Sequence, residues 1–165
     1  MNNRINEFSK KEECSIKKSV FISAPFFSQN QINKVIQVEK ALRSNPTVGE
    51  IVSPRTDQNG SGYDPKKQMY EWANEIYRKD LIGVKWADVT LEILDFDEDD
   101  TDSGTAFEFG YAKALGKPTT TISFDKRPVN LMIGIGSDYD FKNTDEIAKH
   151  NFSLPASYKY SGKMH

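Results

Sequence analysis

Residues 88–118 read D-V-T-L-E-I-L-D-F-D-E-D-D-T-D-S-G-T-A-F-E-F-G-Y-A-K-A-L-G-K-P, and this stretch decides the fold. Its first part, residues 88–94, is a short apolar run rich in branched side chains, the pattern of a buried strand. An acidic loop follows, and a helix is expected over 103–116. Gly116 ends that helix and Pro118 stands just beyond, because glycine accepts the left-handed closing conformation and proline cannot continue the turn. Residues 119–124, T-T-T-I-S-F, return to a strand pattern. Strand, helix, strand is a parallel βαβ unit with a right-handed connection.

The flanking sequence extends the same alternation. Residues 19–24 form an apolar strand stopped by Pro25. Residues 29–44 read as a helix with Ile32, Val35, Ile36 and Leu42 on its apolar stripe. A weaker strand falls at 50–53, and Pro54, Gly60 and Gly62 mark 54–65 as a surface loop. Pro65 opens a helix running to Trp86, whose stripe is Met69, Trp72, Ala73, Ile76 and Asp80. A short fifth strand is expected near 137–141. Residues 1–18 are a polar leader, and 19–165 are expected to form one domain without internal repeats. The result is an α/β protein with helices on both faces of a parallel sheet. Ligands of such sheets bind at the carboxyl ends of the strands, which singles out the loops at 24–30, 54–65, 95–104 and 124–134.

Composition excludes several classes. The formal net charge of −2 lacks the basic excess of a nucleic-acid binder, although a single nucleoside has no phosphate to neutralise. Cys14 is the only cysteine, so neither an intrachain disulfide nor a thiolate zinc site can form. No run approaches the ~18 apolar residues of a membrane span. A cytoplasmic location is expected.

The acidic loop and its helix carry the chemistry. Glu108 falls in the second turn, with Gly104, Tyr111, Ala112 and Leu115 as helical neighbours. Gly104, one turn earlier, leaves space above the carboxylate, and the helix N-terminus favours its ionised form. An ionised carboxylate at the mouth of a parallel sheet can attack a sugar carbon; in isolation it reads far more readily as an ordinary exposed helix residue. Asp97, Asp99, Thr101, Ser103, Thr105 and Glu108 also match the ligand spacing of a calcium loop, with Asp102 where that loop needs glycine. Asp80 sits where its stripe calls for an apolar residue. Either it has a task or the helix has turned outward there. Phe26 and Phe27 could stack on a planar base or fill the core. No glycine-rich phosphate loop and no hydrolytic triad is present.

Taken together, these segments resemble the nucleoside 2-deoxyribosyltransferase family from about residue 19 to the C-terminus. D-S-G-T-A-F-E-F-G-Y-A at 102–112 looks like the family signature, with an acid six residues before the nucleophilic glutamate. The resemblance implies that Glu108 is the nucleophile and that Asp102 contacts the base and shuttles its proton. Y-R-K-D-L-I-G at 77–83 resembles the helix carrying a second sugar- and base-site acid, here Asp80. S-A-P-F-F at 23–27 resembles the first-strand loop that cradles the nucleoside, which implies substrate contacts for Ser23, Phe26 and Phe27 beside Gly104. P-V-N-L-M at 128–132 resembles the element that reaches a neighbouring subunit's site, through Asn130 and Met132. Gln58 falls near a base-contacting glutamine. Two positions depart from the pattern. Phe21 stands where the family commonly has a tyrosine bonded to the catalytic glutamate, and His165 where the chain often ends in tyrosine. An ordered water or Tyr111 is then expected to hold Glu108.

The resemblance further implies a flavodoxin-like (Rossmann-like) three-layer sandwich with a five-stranded parallel sheet. It implies a homohexamer of dimers, double displacement on deoxyribonucleosides and free nucleobases, and no metal or organic cofactor. The rival of the same fold is a hydrolase of deoxynucleoside 5-monophosphates, with Ser23 and Ser103 as its phosphate ligands. The rival of another class is a non-catalytic ligand- or calcium-binding module.

Overall fold

The computed structural model describes residues 17–57, 62–96, 100–154, 160 and 162–165. Five strands, β1 (Lys18–Ser23), β2 (Val48–Val52), β3 (Val89–Ile93), β4 (Thr119–Ile122) and β5 (Tyr139–Phe141), form one sheet in the order β2-β1-β3-β4-β5. Every pairing is parallel. The connections carry helices α1 (Gln29–Ser44), α2 (Pro54–Asp57), α3 (Met69–Trp86), α4 (Ser103–Ala114) and α5 (Leu131–Gly136), and α6 (Thr144–Lys149) follows β5. This is the flavodoxin-like three-layer arrangement. The order of strand addition reverses between β1 and β3, and the carboxyl ends of those two strands frame the ligand crevice.

Strand alternation splits the core between two faces. Val20, Ile22, Val89, Leu91, Ile93, Ile122 and Phe141 point to one face, where Val35, Val38 and Leu42 of α1 and Ile147 of α6 cover them. Each such side chain, fully buried, contributes roughly 1.5–3 kcal/mol. Phe21 points to the other face, against Val84, Ala87 and Ala112. Leu94, Phe109, Val129 and Ile133 close the core under α4 and α5. Gly83 is required here, because a Cβ on it would come within 2.6 Å of the Phe21 ring.

Local signals set the helix ends. Ser28 and Gln31 form a reciprocal capping box at α1. Asp102 caps α4. Gly116 takes φ +70° after Leu115, which closes that helix two residues before the expected end.

Several expectations are corrected. The first strand begins at Lys18, inside the stretch read as leader; residues 1–16, with Cys14, lie outside the described residues. The segment read as a plain loop contains α2. The helix expected from Pro65 begins at Met69, because Lys67 and Gln68 donate to the Asp64 carbonyl in a preceding turn. Its expected stripe is not its buried face: Met69 and Ala73 are exposed, and Gly83 and Val84 are the buried residues. Only the C-terminal turns of α3 lie over the sheet. On α1 the buried side includes Lys34 and Glu39, while Ile36 faces out. Lys34 is held by Asp125 (2.8 Å) and Asp95 (3.7 Å), and Glu39 by Arg55 (2.6 Å) and Ser53 (2.7 Å). Ion pairing, invisible in periodicity, rotates that helix's buried face.

Candidate active site

Ser23 is the last residue of β1 and lies two residues beyond Phe21 on the same face of the sheet. Its hydroxyl donates a hydrogen bond to Oε2 of Glu108, across the crevice on α4. Ser23, rather than Tyr111, therefore holds the carboxylate. Tyr111 instead stacks on Phe107 with ring centroids 6.4 Å apart. The placement of Ser23 was legible from strand alternation; its partner was not.

Burial pushes the Glu108 carboxyl up to about 7, Asp80 and Asp102 add to the rise, and the Ser23 hydrogen bond opposes it. The helix N-terminus, which favours the ionised form, is not the larger effect on Glu108. Desolvation outweighs the helix end because Glu108 is turned into the sheet rather than toward solvent.

Asp80 and Asp102 thus converge on Glu108. Asp80 projects from the fourth helical turn of α3, half-buried, and its charge acts on Glu108. Asp102 is the N-cap of α4, and its Oδ2 accepts the Thr105 amide proton at 2.9 Å. A Cβ on Gly104 would lie 2.9 Å from that oxygen. The space expected above Glu108 is taken by the Asp102 carboxylate, and glycine is what lets the cap fold back.

Aromatic side chains follow the ends of β1 and β3. Phe26 is partly buried against the core, and Phe27, 72% exposed, stacks on it at 5.7 Å. Phe96, beyond the end of β3, meets Phe27 edge-on at 6.3 Å. Phe96 was not singled out from sequence. Asp95 accepts the amide protons of Phe124 and Asp125, both at 2.8 Å, and ties the loop after β4 to the end of β3.

The remaining candidates lie elsewhere. Phe21 is fully buried, packed on Gly83 below Ser23. Asn130 has a local task that sequence reading missed: it caps α5 by accepting the Met132 amide proton at 2.9 Å. Met132 is 72% exposed. Both line a cavity of about 730 Å³ with Asp100, Ser103, Ala106 and Lys113. At 3.6 residues per turn, that cavity is on the far side of α4 from Glu108. Within one chain, Asn130 and Met132 are not brought to Glu108. His165 is exposed and pairs through its backbone with Val129 and Leu131, which sets the C-terminus beside the start of α5. Gln58, Asp97 and Asp99 lie outside the described residues. Ser103 and Thr105 belong to α4, so the backbone carbonyl that a calcium loop would need from Ser103 is committed to a helix. Among the described residues no group of three His, Cys, Asp or Glu side chains is placed to hold a metal, and no helix is long and apolar enough to cross a membrane.

Comparison with known proteins finds relatives of one family and fold. The family model described as nucleoside 2-deoxyribosyltransferase matches residues 20–157. A nucleoside deoxyribosyltransferase of Lactobacillus leichmannii is 28% identical over 158 residues, covering 90% of this chain and 99% of the relative. The solved 2-deoxyribosyltransferase of Bacillus psychrosaccharolyticus superposes with a TM-score of 0.71 at 28% identity, covering 85% of this chain and 98% of that one. A CMP N-glycosidase of Clostridium botulinum shares the fold at 17% identity and a TM-score of 0.50, covering 79% of this chain and 96% of that one.

Proposed function

Since the chain belongs to the nucleoside 2-deoxyribosyltransferase family, we propose that its crevice moves 2-deoxyribose from one nucleobase to another by double displacement at Glu108. The observation that carries this reading is the Glu108 carboxylate, aimed by Ser23 into the crevice between β1 and β3. In the first step Glu108 attacks the anomeric carbon. The carbon–oxygen ester bond forms as the glycosidic carbon–nitrogen bond breaks. The bond's electron pair leaves with the base, which takes a proton from Asp102. In the second step the incoming base attacks the same carbon, the ester breaks, Glu108 regains its charge and Asp102 recovers a proton. Two inversions give net retention. The absent 2-hydroxyl eases the oxocarbenium-like transition state. Asp80 holds the sugar and base, and Phe27 with Phe96 supplies a stacking wall.

The test is base exchange between deoxythymidine and adenine, followed by chromatography. Glu108 must be ionised to attack, and its carboxyl is held up to about 7, so the rate should rise as pH increases through that value. No exchange, or a rate flat from about pH 5 to 8, would overturn the reading. The hydrolase rival needs a phosphate cradle. Here Ser23 is engaged by Glu108 and Ser103 opens α4, so a deoxynucleoside monophosphate is expected to be a poorer substrate than the nucleoside.

The proposal includes assembly into a homo-oligomer, dimers joining as a hexamer. Supporting it are the apolar surfaces left exposed on α3 (Met69, Tyr70, Ile82) and α5 (Leu131, Met132, Ile135). Asn130 and Met132 would then complete a neighbouring chain's site. Glu108→Ala and Asn130→Ala proteins, each weak or dead alone, should regain activity when co-assembled. In a mixed dimer one site inherits both defects and the other neither. Proven mixed oligomers without recovery would place Asn130 outside the neighbour's site.

A further inference from the structure

The central strand β3 buries every residue, and one of them is an acid. Glu92 is wholly inaccessible, and neither of its carboxyl oxygens has a hydrogen-bond partner among the described residues. Thr90, two residues earlier on the same face, has an unpartnered hydroxyl as well. An unpaired buried carboxylate is costly, and an apolar residue would fill this strand position without that cost. Its location gives the reason to keep it. In the parallel register Glu92 sits directly opposite Ser23, the residue that binds Glu108, and on the sheet face that α4 covers. It is therefore the floor of the crevice beneath the reacting carboxylate.

We propose that Glu92 is a positioning residue for Glu108: a neutral carboxylic acid in the crevice floor that leaves the only negative charge of the pair on Glu108, held against Ser23. This rests on the assignment of Glu108 as nucleophile. The groups facing Glu92 are few. From α4 they are Glu108 and, farther along, Lys113, which pairs with Asp138 at 3.0 Å. From β1 and β4 they are the uncharged Ser23 and Thr121. Asp80 and the capping Asp102 face Glu108, and Asp140 of β5 is reached only through Thr121, at 3.1 Å. Burial pushes the Glu92 carboxyl up to about 8, and the Glu108 charge adds to the rise; Thr90 tempers it, without a hydrogen bond of normal geometry. The two carboxyls titrate as a pair, and Glu108, bonded by Ser23 and only partly buried, gives up its proton before the wholly buried and unpartnered Glu92. Ionising Glu92 as well would set two like charges beneath the sugar and drive Glu108 off Ser23.

Two measurements test this. The first is the pH profile of kcat and KM for the wild-type enzyme and Glu92→Gln. Glutamine keeps the shape and stays neutral, so the acid limb should coincide in the two proteins and KM should be unchanged. The wild-type kcat should fall on the alkaline side, and the variant should hold its plateau at least about one pH unit further. Superimposable alkaline limbs would overturn the proposal; a residue that only filled space would leave both limbs unmoved. The second is independent of catalysis and of the Gln variant's folding: the infrared band of protonated carboxyls in Glu108→Gln. A protonated carboxyl absent from the same protein carrying Glu92→Leu should persist at neutral pH, and should titrate at lower pH than in the wild type because the Glu108 charge is gone. A Glu92 already ionised at neutral pH in Glu108→Gln would sink the idea. This measurement decides the state of Glu92 even if the chain exchanges no bases.

Discussion

Glu108→Gln is expected to abolish base exchange and, at neutral pH, to make the protein more stable. Loss of a covalent nucleophile elsewhere costs on the order of 10⁶-fold in kcat, so the variant should fall to background. Stability moves the other way because the wild-type carboxyl is held at about 7, above its ordinary value of 4.5, chiefly by burial. A raised carboxyl is fully tolerated by the fold below its ordinary value. Stability is then lost as pH rises from about 4.5 to about 7 and levels off above that. Glutamine remains neutral throughout and still offers an oxygen to Ser23. The difference should therefore open over that window and reach roughly 1–3 kcal/mol, or about 2–4 °C in Tm per kcal/mol for a chain of this size. The checks are exchange assays, thermal melts at several pH values, and mass spectrometry of wild-type enzyme incubated with a deoxynucleoside alone. A variant with wild-type exchange, or a deoxyribosyl adduct on another residue, would remove Glu108 from the nucleophile role.

Asp102→Asn should slow exchange by about 10²–10⁴-fold, the usual cost of losing a general acid, with little change in KM. The structure makes this substitution a clean one. Asp102 caps α4 through an oxygen that accepts the Thr105 amide proton, and asparagine caps helices as well as aspartate does. The helix and the placement of Glu108 should survive, so any rate loss belongs to the proton. Asp102→Ala would confound the two, adding about 1 kcal/mol of lost capping. Asp102→Asn should be least impaired with a substrate whose leaving group departs without protonation. Equal impairment with both kinds of leaving group would reduce Asp102 to holding the base.

The order of strands and helices is written in the sequence, because periodicity and end signals are local. The β-branched runs at residues 19–24, 88–94 and 119–124 can be buried only as strands between helices, and Gly116 stops its helix by backbone freedom alone. The loop-to-helix turn that presents Asp102 and Glu108 was also legible, since it is itself a local structure. Asp80 was singled out as an acid on an apolar stripe, although that stripe is not the buried face of α3.

What only the tertiary structure decided depends on partners far apart in the chain and on the exclusion of water. Ser23 meets Glu108 across 85 residues of sequence, a pairing no window of sequence contains. The stripe read for α1 leaves out Lys34 and Glu39, which are buried because Asp95, Asp125 and Arg55 pair with them and Ser53 donates to Glu39 from other elements. Glu92 looked like one more residue of a strand until the sheet closed around it on both faces. The upward shift of Glu108 was not legible for the same reason. The helix N-terminus is visible in sequence, but desolvation is a property of everything packed around the side chain, and for a buried carboxyl it is the larger effect.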